Sequence, residues 1–228
     1  MYDAIILAGG LGTRLQPAFP HLPKVLAPIC GTPFIDILLS QLHLSGCIDK
    51  VIIAAGHKAD CITSHFENNP SPLPLLFSIE DTPLGTGGAV KKALQLSSSE
   101  HLFVMNGDCL IHLSFTALLN QHLALGADCT LTYLKMKNPD RYGRLLVDPL
   151  THQITAFGDH LHTNTINAGF YVLDRKALEE ISLESSFSLE KEGFPLLLRK
   201  RFFGFFYEGL FIDIGTPDAY LTAQNLYE

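Results

Sequence analysis

Ala4-Ile5-Ile6-Leu7-Ala8-Gly9-Gly10-Leu11-Gly12-Thr13-Arg14-Leu15 begins as an apolar run and then breaks into three glycines within four positions. The apolar run is long enough for one buried strand and too short for a helix. Glycine reaches φ > 0 and has no Cβ, so a loop of this kind folds tightly round a ligand with its backbone N–H groups bare. Phosphate suits such a loop. Arg14 adds a planar fork for phosphate oxygens, and Lys24, behind Pro23, adds a point charge on a flexible stem. Two familiar phosphate loops fit poorly. A dinucleotide fingerprint needs a third glycine where Leu15 stands, and a P-loop needs a Lys-Ser or Lys-Thr that does not follow.

Outward from this stretch, short apolar runs alternate with helical patterns. Thr32-Pro33 reads as the cap and first position of a helix carrying Ile35, Leu38, Leu39 and Leu42 at helical spacing, with Gly46 beyond its end. Strands are predicted at 51–55, 75–79, 102–105 and 129–134. Helices are predicted at about 59–67, from Gly85 through about Leu96, and after a Ser114 cap up to Gly126. This β-α alternation implies an α/β fold, a doubly wound, Rossmann-like and mostly parallel sheet with ligands at the strand C-termini. Beyond residue 135 the predicted strands 144–147, 154–157 and 166–173 follow without long helices between them. They are expected to form a small mixed or antiparallel subregion. Helices at 175–181 and 188–198, strands at 202–206 and 210–212, and a helix opened by Thr216-Pro217 complete the pattern. One domain is expected, with 1–135 as a first, ligand-binding half and 136–228 as a second half that supplies a lid or second half-site.

Composition narrows the function class. Hydrophobic residues make up 47% and charged ones 17%, which supplies a core and carries no disorder signature. A net charge of −7 argues against an extended nucleic-acid surface. Five cysteines without a C-x-x-C pair read as reduced, mostly buried thiols of a cytoplasmic protein. The ten histidines lack metal-binding spacing and read as surface and loop residues. Neither a leader nor a run of 18 apolar residues is visible, so no membrane partner is expected.

Two aspartates stand at strand ends. Asp108 follows a buried strand in the turn Asn106-Gly107-Asp108, and Asp213 lies between Ile212 and Ile214. A carboxylate in such apolar company needs a partner or a metal. Two oxygens from distant strands, completed by phosphate oxygens and water, suit Mg²⁺ and suit zinc poorly.

Leu7 to Leu15 followed by Pro23-Lys24 resembles the signature of the sugar-1-phosphate nucleotidylyltransferase family. The resemblance implies that Leu7, Ala8, Gly9, Gly10, Gly12 and Thr13 bind a nucleoside triphosphate, and that Arg14, Lys24, Asp108 and Asp213 carry catalysis, the two aspartates through Mg²⁺. The segment Glu80 to Ala89 looks like the family's base and ribose segment, so Glu80, Pro83, Gly85, Thr86 and Gly87 are expected to contact the nucleotide. Tyr142, Gly143, Asn167 and Glu190 look like its sugar-contacting positions. After the strand 154–157 the family shows Glu-Lys where this chain has Asp159-His160, and His160 is expected to supply a weaker, pH-dependent cation.

Within the family the short length, Pro83 to Ala89, Asp140-Arg141-Tyr142-Gly143 and Phe211 to Pro217 look most like D-glycero-D-manno-heptose 1-phosphate guanylyltransferases. Mannose 1-phosphate guanylyltransferases and N-acetylmuramate 1-phosphate uridylyltransferases share much of the pattern. The implied partners are GTP and a sugar 1-phosphate, for a monomer or small homo-oligomer. A reading from another class is a sugar-nucleotide sensor that kept the fold and lost turnover.

Overall fold

A computed structural model describes residues 1–15 and 17–227. Strand β1 (Tyr2–Leu7) leads through the glycine loop and a 3-10 turn (Lys24–Leu26) to a two-residue pair, β2 (Pro28–Ile29) and β3 (Thr32–Pro33). Then come α1 (Phe34–Leu44), β4 (Ile48–Ala55), α2 (Ala59–Asn68), β5 (Leu75–Ile79), α3 (Gly85–Leu94) and β6 (His101–Asn106). Next are β7 (Cys109–Ile111), α4 (Phe115–Ala124), β8 (Cys129–Lys135), β9 (Leu145–Val147), β10 (Ile154–Phe157) and β11 (Thr165–Asp174). The chain ends with α5 (Arg175–Glu179), a π-helical turn (Leu189–Gly193), α6 (Phe194–Leu197), β12 (Phe202–Phe206), β13 (Phe211–Asp213) and α7 (Pro217–Tyr227).

Seven strands form the main sheet in the order β12-β8-β11-β6-β1-β4-β5. β1 lies parallel to both β4 and β6, and β5 and β12 extend the parallel set at its ends. The alternating side chains of β1 explain the double winding, since successive residues of a strand face opposite sides. Ala4 and Ile6 join a core with α1 and α4, while Ile5 joins another with α3, α5 and α6. Crossover helices therefore cover both faces, and the strand C-termini stay clear of them.

Four expectations need correction. Strand β11, expected in the small subregion, lies inside the main sheet, antiparallel to β6 and β8. Its ten residues, TINAGFYVLD, have half-buried polar ends and a wholly buried middle, as a strand inside a covered sheet requires. Of the three strands expected there, β9 and β10 form a small antiparallel pair. Thr32 does not cap α1; Pro33 precedes the helix and Thr32 belongs to β3. His122 is not a surface residue but fully buried, its Nδ1 3.0 Å from Thr130 Oγ1 and its Nε2 3.2 Å from His101 Nδ1. All five cysteines are free, but only Cys109 and Cys129 are buried. Among the described residues no helix is long and apolar enough to cross a membrane.

Candidate active site

A cleft of ≈ 660 Å³ opens where β1, β4, β5 and β6 end. The glycine loop lines it from Leu7 through Arg14, with Arg14 exposed. Gly12 has φ +60, and a Cβ there would lie 3.3 Å from Cβ of Lys24. Glycine thus lets the loop close over the lysine stem and direct Nζ inward. That Nζ forms an ion pair with Asp108 Oδ2.

Glu80, Pro83, Gly85 and Thr86 also line the cleft. The Glu80 carboxylate is anchored by its Oε2, which accepts from Leu84 N at 3.0 Å. Its other oxygen lies 3.3 Å from where a Cβ on Gly9 would stand, so a bare loop is needed beside it. Gly87 is not in the lining. It packs under Phe187, whose ring would collide with any side chain there. Thr86 also ties two parts of the chain together, its Oγ1 accepting from Leu189 N at 2.8 Å.

That contact places the π-helical turn, and with it Glu190, against the cleft. Such turns widen a helix by one residue and often serve functional sites. Asn167, Tyr171 and Glu190 form a buried cluster. Asn167 Nδ2 donates to Tyr171 Oη and to Glu190 Oε1, each at 2.7 Å, and Asn167 Oδ1 accepts from Gly169 N at 2.9 Å. Both N–H donors of this amide are therefore engaged, and its oxygen accepts one bond. A register shift in β11 between Asn167 and Tyr171, with Gly169 at φ +78, makes the arrangement possible. Burial pushes the Glu190 carboxyl up from the ordinary range, and the charges of Asp108 and Asp159 push the same way. The charge of Glu190 contributes, after burial, to holding up the Tyr171 phenol.

Asp108 and Asp213 converge although they come from distant segments. β7 and β13 pair antiparallel with Asp213 opposite Cys109, and Ile214 N donates to Asp108 O at 3.0 Å. Asp213 Oδ2 accepts from Arg141 Nη2 at 2.6 Å and from Tyr142 Oη at 2.9 Å, while its Oδ1 accepts from Gly215 N at 2.6 Å. Burial, then the neighbouring Asp213 charge, raises the Tyr142 phenol. Burial followed by the Asp108 and Asp213 charges raises the Cys109 thiol, which stays protonated and is no nucleophile.

Among the described residues no group of three or more His, Cys, Asp or Glu side chains could hold a metal. Two carboxylates, each neutralised by one cation, are what remains. This all-oxygen pair fits a hard divalent ion that takes its other ligands from phosphate and water.

Of the sugar-side positions, Glu190 lines the cleft. Tyr142, Gly143 and Asn167 are outside the lining: Tyr142 Oη donates to Asp213, which is itself outside it, Asn167 supports Glu190, and the Gly143 carbonyl accepts from Asn167 N at 2.9 Å. His160 is exposed and outside the lining, its ring turned back over Gly158. Sequence reasoning did not single out Arg141 or Tyr171 as site residues. Arg141 was visible only as a neighbour of Tyr142, and the alternation of β11 that puts Tyr171 beside Asn167 was the one signal for the other.

The nucleotidyl transferase family model matches residues 3–228. The chain belongs to the nucleotidyl transferase family. It is 38% identical to D-glycero-alpha-D-manno-heptose 1-phosphate guanylyltransferase of Aneurinibacillus thermoaerophilus, over 98% of this chain and 97% of that one. The protein of the same name from Campylobacter jejuni is 33% identical over 96% of each. In structure this nucleotidyl transferase is similar to HddC from Yersinia pseudotuberculosis complexed with GMP-PN, with a TM-score of 0.88, 32% identity and full coverage of both chains.

Proposed function

We propose that this nucleotidyl transferase moves GMP from GTP to a sugar 1-phosphate, D-glycero-α-D-manno-heptose 1-phosphate above others, giving GDP-heptose and pyrophosphate. The observation that carries the reading is the meeting of the glycine loop, Lys24, Asp108, Glu80 and Glu190 in one cleft. Similarity to two heptose 1-phosphate guanylyltransferases along nearly the whole chain supports the acceptor.

In this reading the glycine-loop amides and Arg14 hold the triphosphate, with Arg14 on the pyrophosphate that leaves. Lys24 turns from Asp108 to the α-phosphate. A phosphate oxygen of the sugar 1-phosphate attacks the α-phosphorus in line, and the bond to the bridging oxygen of pyrophosphate breaks. The attacking oxygen is already anionic, so no protein base or nucleophile is required. Catalysis is positioning and charge neutralisation. Asp108 and Asp213 would hold Mg²⁺, which supplies charge neutralisation at the phosphates.

Glu80 supports guanine. Guanine presents adjacent N1–H and N2–H donors, which an anchored carboxylate accepts side by side. Uracil and thymine present one N–H between two carbonyl oxygens, and a carboxylate repels those oxygens. On the other side Glu190 offers its second oxygen to sugar hydroxyls, with Asn167 and Tyr171 holding it still. Residues 1–135 serve mainly the nucleotide and 136–228 mainly the sugar phosphate, joined at Thr86 and Leu189.

Pyrophosphate release with Mg²⁺ tests the reading, with five nucleoside triphosphates set against heptose, mannose, glucose and N-acetylmuramic acid 1-phosphates. Turnover restricted to GTP and heptose 1-phosphate is expected. Preference for another pair replaces the substrate and keeps the mechanism. No turnover with sugar-nucleotide binding intact identifies a sensor.

A further inference from the structure

We infer that the Arg141 guanidinium receives the phosphate group of the acceptor sugar 1-phosphate, an inference that rests on the transferase reading above. Arg141 lies in the loop between β8 and β9 and is clamped on two sides. Its Nη2 is 2.6 Å from Asp213 Oδ2, and its Cζ is 5.5 Å from the Tyr142 ring centroid. The clamp fixes the plane of the fork while the side chain remains 36% exposed. An arginine carries five N–H donors. Among the described residues only the Nη2 bond to Asp213 engages them.

Gly215 shows where the fork points. A Cβ built there would lie 3.2 Å from Lys24 Nζ, 3.3 Å from Arg141 Nη2 and 2.7 Å from Asp213 Oδ1. Gly215 itself lines the cleft. Two cations thus approach one spot over bare backbone, each held by its own carboxylate, Lys24 by Asp108 and Arg141 by Asp213. Cations placed so close repel unless an anion lies nearby. A phosphate entering beside Gly215 meets a point charge from one side and a planar fork from the other, the fork matching two phosphate oxygens at once. Lys24 serves the donor's α-phosphate, so Arg141 faces the phosphate that attacks it.

The other cations near the sugar side are otherwise engaged. Arg144 donates through Nη1 to Leu161 O at 2.8 Å and through Nη2 to Asp140 Oδ1 at 2.7 Å. His160 is exposed, and its ring lies over Gly158, where an added Cβ would be 2.7 Å from it. Glu190, the carboxylate for the sugar, is itself near Asp108 and Asp159, so the sugar side is locally acidic without a guanidinium.

Calorimetric titration of the full chain with heptose 1-phosphate, mannose 1-phosphate and GTP tests the assignment without needing turnover. Arg141→Gln is expected to weaken both sugar phosphates by about tenfold or more, since charge-assisted bonds are lost. GTP affinity is expected to stay within about twofold, a small fraction of one decade. Arg141→Lys, which keeps the charge, is expected to recover part of the loss, and His160→Ala to lose less than Arg141→Gln. The Mg²⁺ concentration for half-maximal pyrophosphate release separates the roles of Arg141. An effect confined to Mg²⁺ would mean that Arg141 only orients Asp213, and the inference falls. It falls equally if GTP and sugar phosphate weaken together, if His160→Ala gives the larger loss, or if the wild type binds no sugar 1-phosphate. Failure of the transferase reading shows separately, as wild-type binding without pyrophosphate release.

Discussion

The amide of Ile214 donates to the carbonyl of Asp108 at 3.0 Å, and with the β7–β13 pairing this bond joins the two segments that carry Asp108 and Asp213. Asp108 is partnered by Lys24 and Asp213 by Arg141, so each carboxylate is neutralised by one cation. Under the proposed function the pair would exchange those cations for a divalent ion when phosphates arrive. Asp108→Asn keeps the shape and removes the charge. It is expected to cost at least ~2.7 kcal/mol of transition-state stabilisation, about a hundredfold in kcat/KM. Steady-state rates of pyrophosphate release check this, and near-normal turnover would remove Asp108 from the reaction.

Base choice is expected to follow Glu80. Glu80→Gln replaces one acceptor oxygen by an NH₂ donor, so one guanine N–H loses its partner. A fall in kcat/KM for GTP of about tenfold is expected, corresponding to ~1.4 kcal/mol for a charge-assisted bond. The GTP-to-UTP ratio should fall with it. An unchanged ratio would show that guanine is read elsewhere.

Tyr171 holds Glu190, the carboxylate proposed to meet the sugar, through Asn167. Its Oη accepts from Asn167 Nδ2 at 2.7 Å and lies 3.3 Å from Glu190 Oε1. Tyr171→Phe leaves one Asn167 hydrogen unpaired in a buried place and should cost ~1–3 kcal/mol of stability. The more telling result is kinetic: KM for the sugar 1-phosphate should rise while KM for GTP holds. Equal rises in both would reduce Tyr171 to a packing residue.

Acid should destabilise the fold through His122. Burial holds its pKa down at about 4, and the adjacent His101 acts in the same direction. In the unfolded chain the imidazole titrates near ~6.5. Between these values the unfolded state binds more protons, so stability is intact above ~6.5 and declines as pH falls. The loss by about pH 4 is roughly 3 kcal/mol. Urea midpoints across this range should fall with pH in the wild type and fall less in His122→Gln. Parallel slopes for the two proteins would contradict the assignment.

Much of the fold was legible in local sequence because periodicity, caps and glycine breaks act over a few residues. Ser114 caps α4 as read, its Oγ accepting from Ala117 N at 3.2 Å, and α2 and β5 fall where their patterns place them. The strand before the glycine loop and the C-terminal position of Asp108 likewise follow from runs a few residues long. With the order of elements, these local signals determined a doubly wound sheet and a glycine-lined cleft at its strand ends.

Tertiary structure alone decided who meets whom. A strand's pattern states that it is buried without stating which edges it joins, so β11 could be known to exist but not to lie between β6 and β8. Asn167 carries the same amide in any setting. Only the folded surroundings direct its two N–H groups to Tyr171 and Glu190. Arg141 and Asp213 are far apart in the chain, and their 2.6 Å contact depends on where two loops end. Non-local pairing, burial and hydrogen-bond saturation belong to the assembled molecule, and no window of sequence contains them.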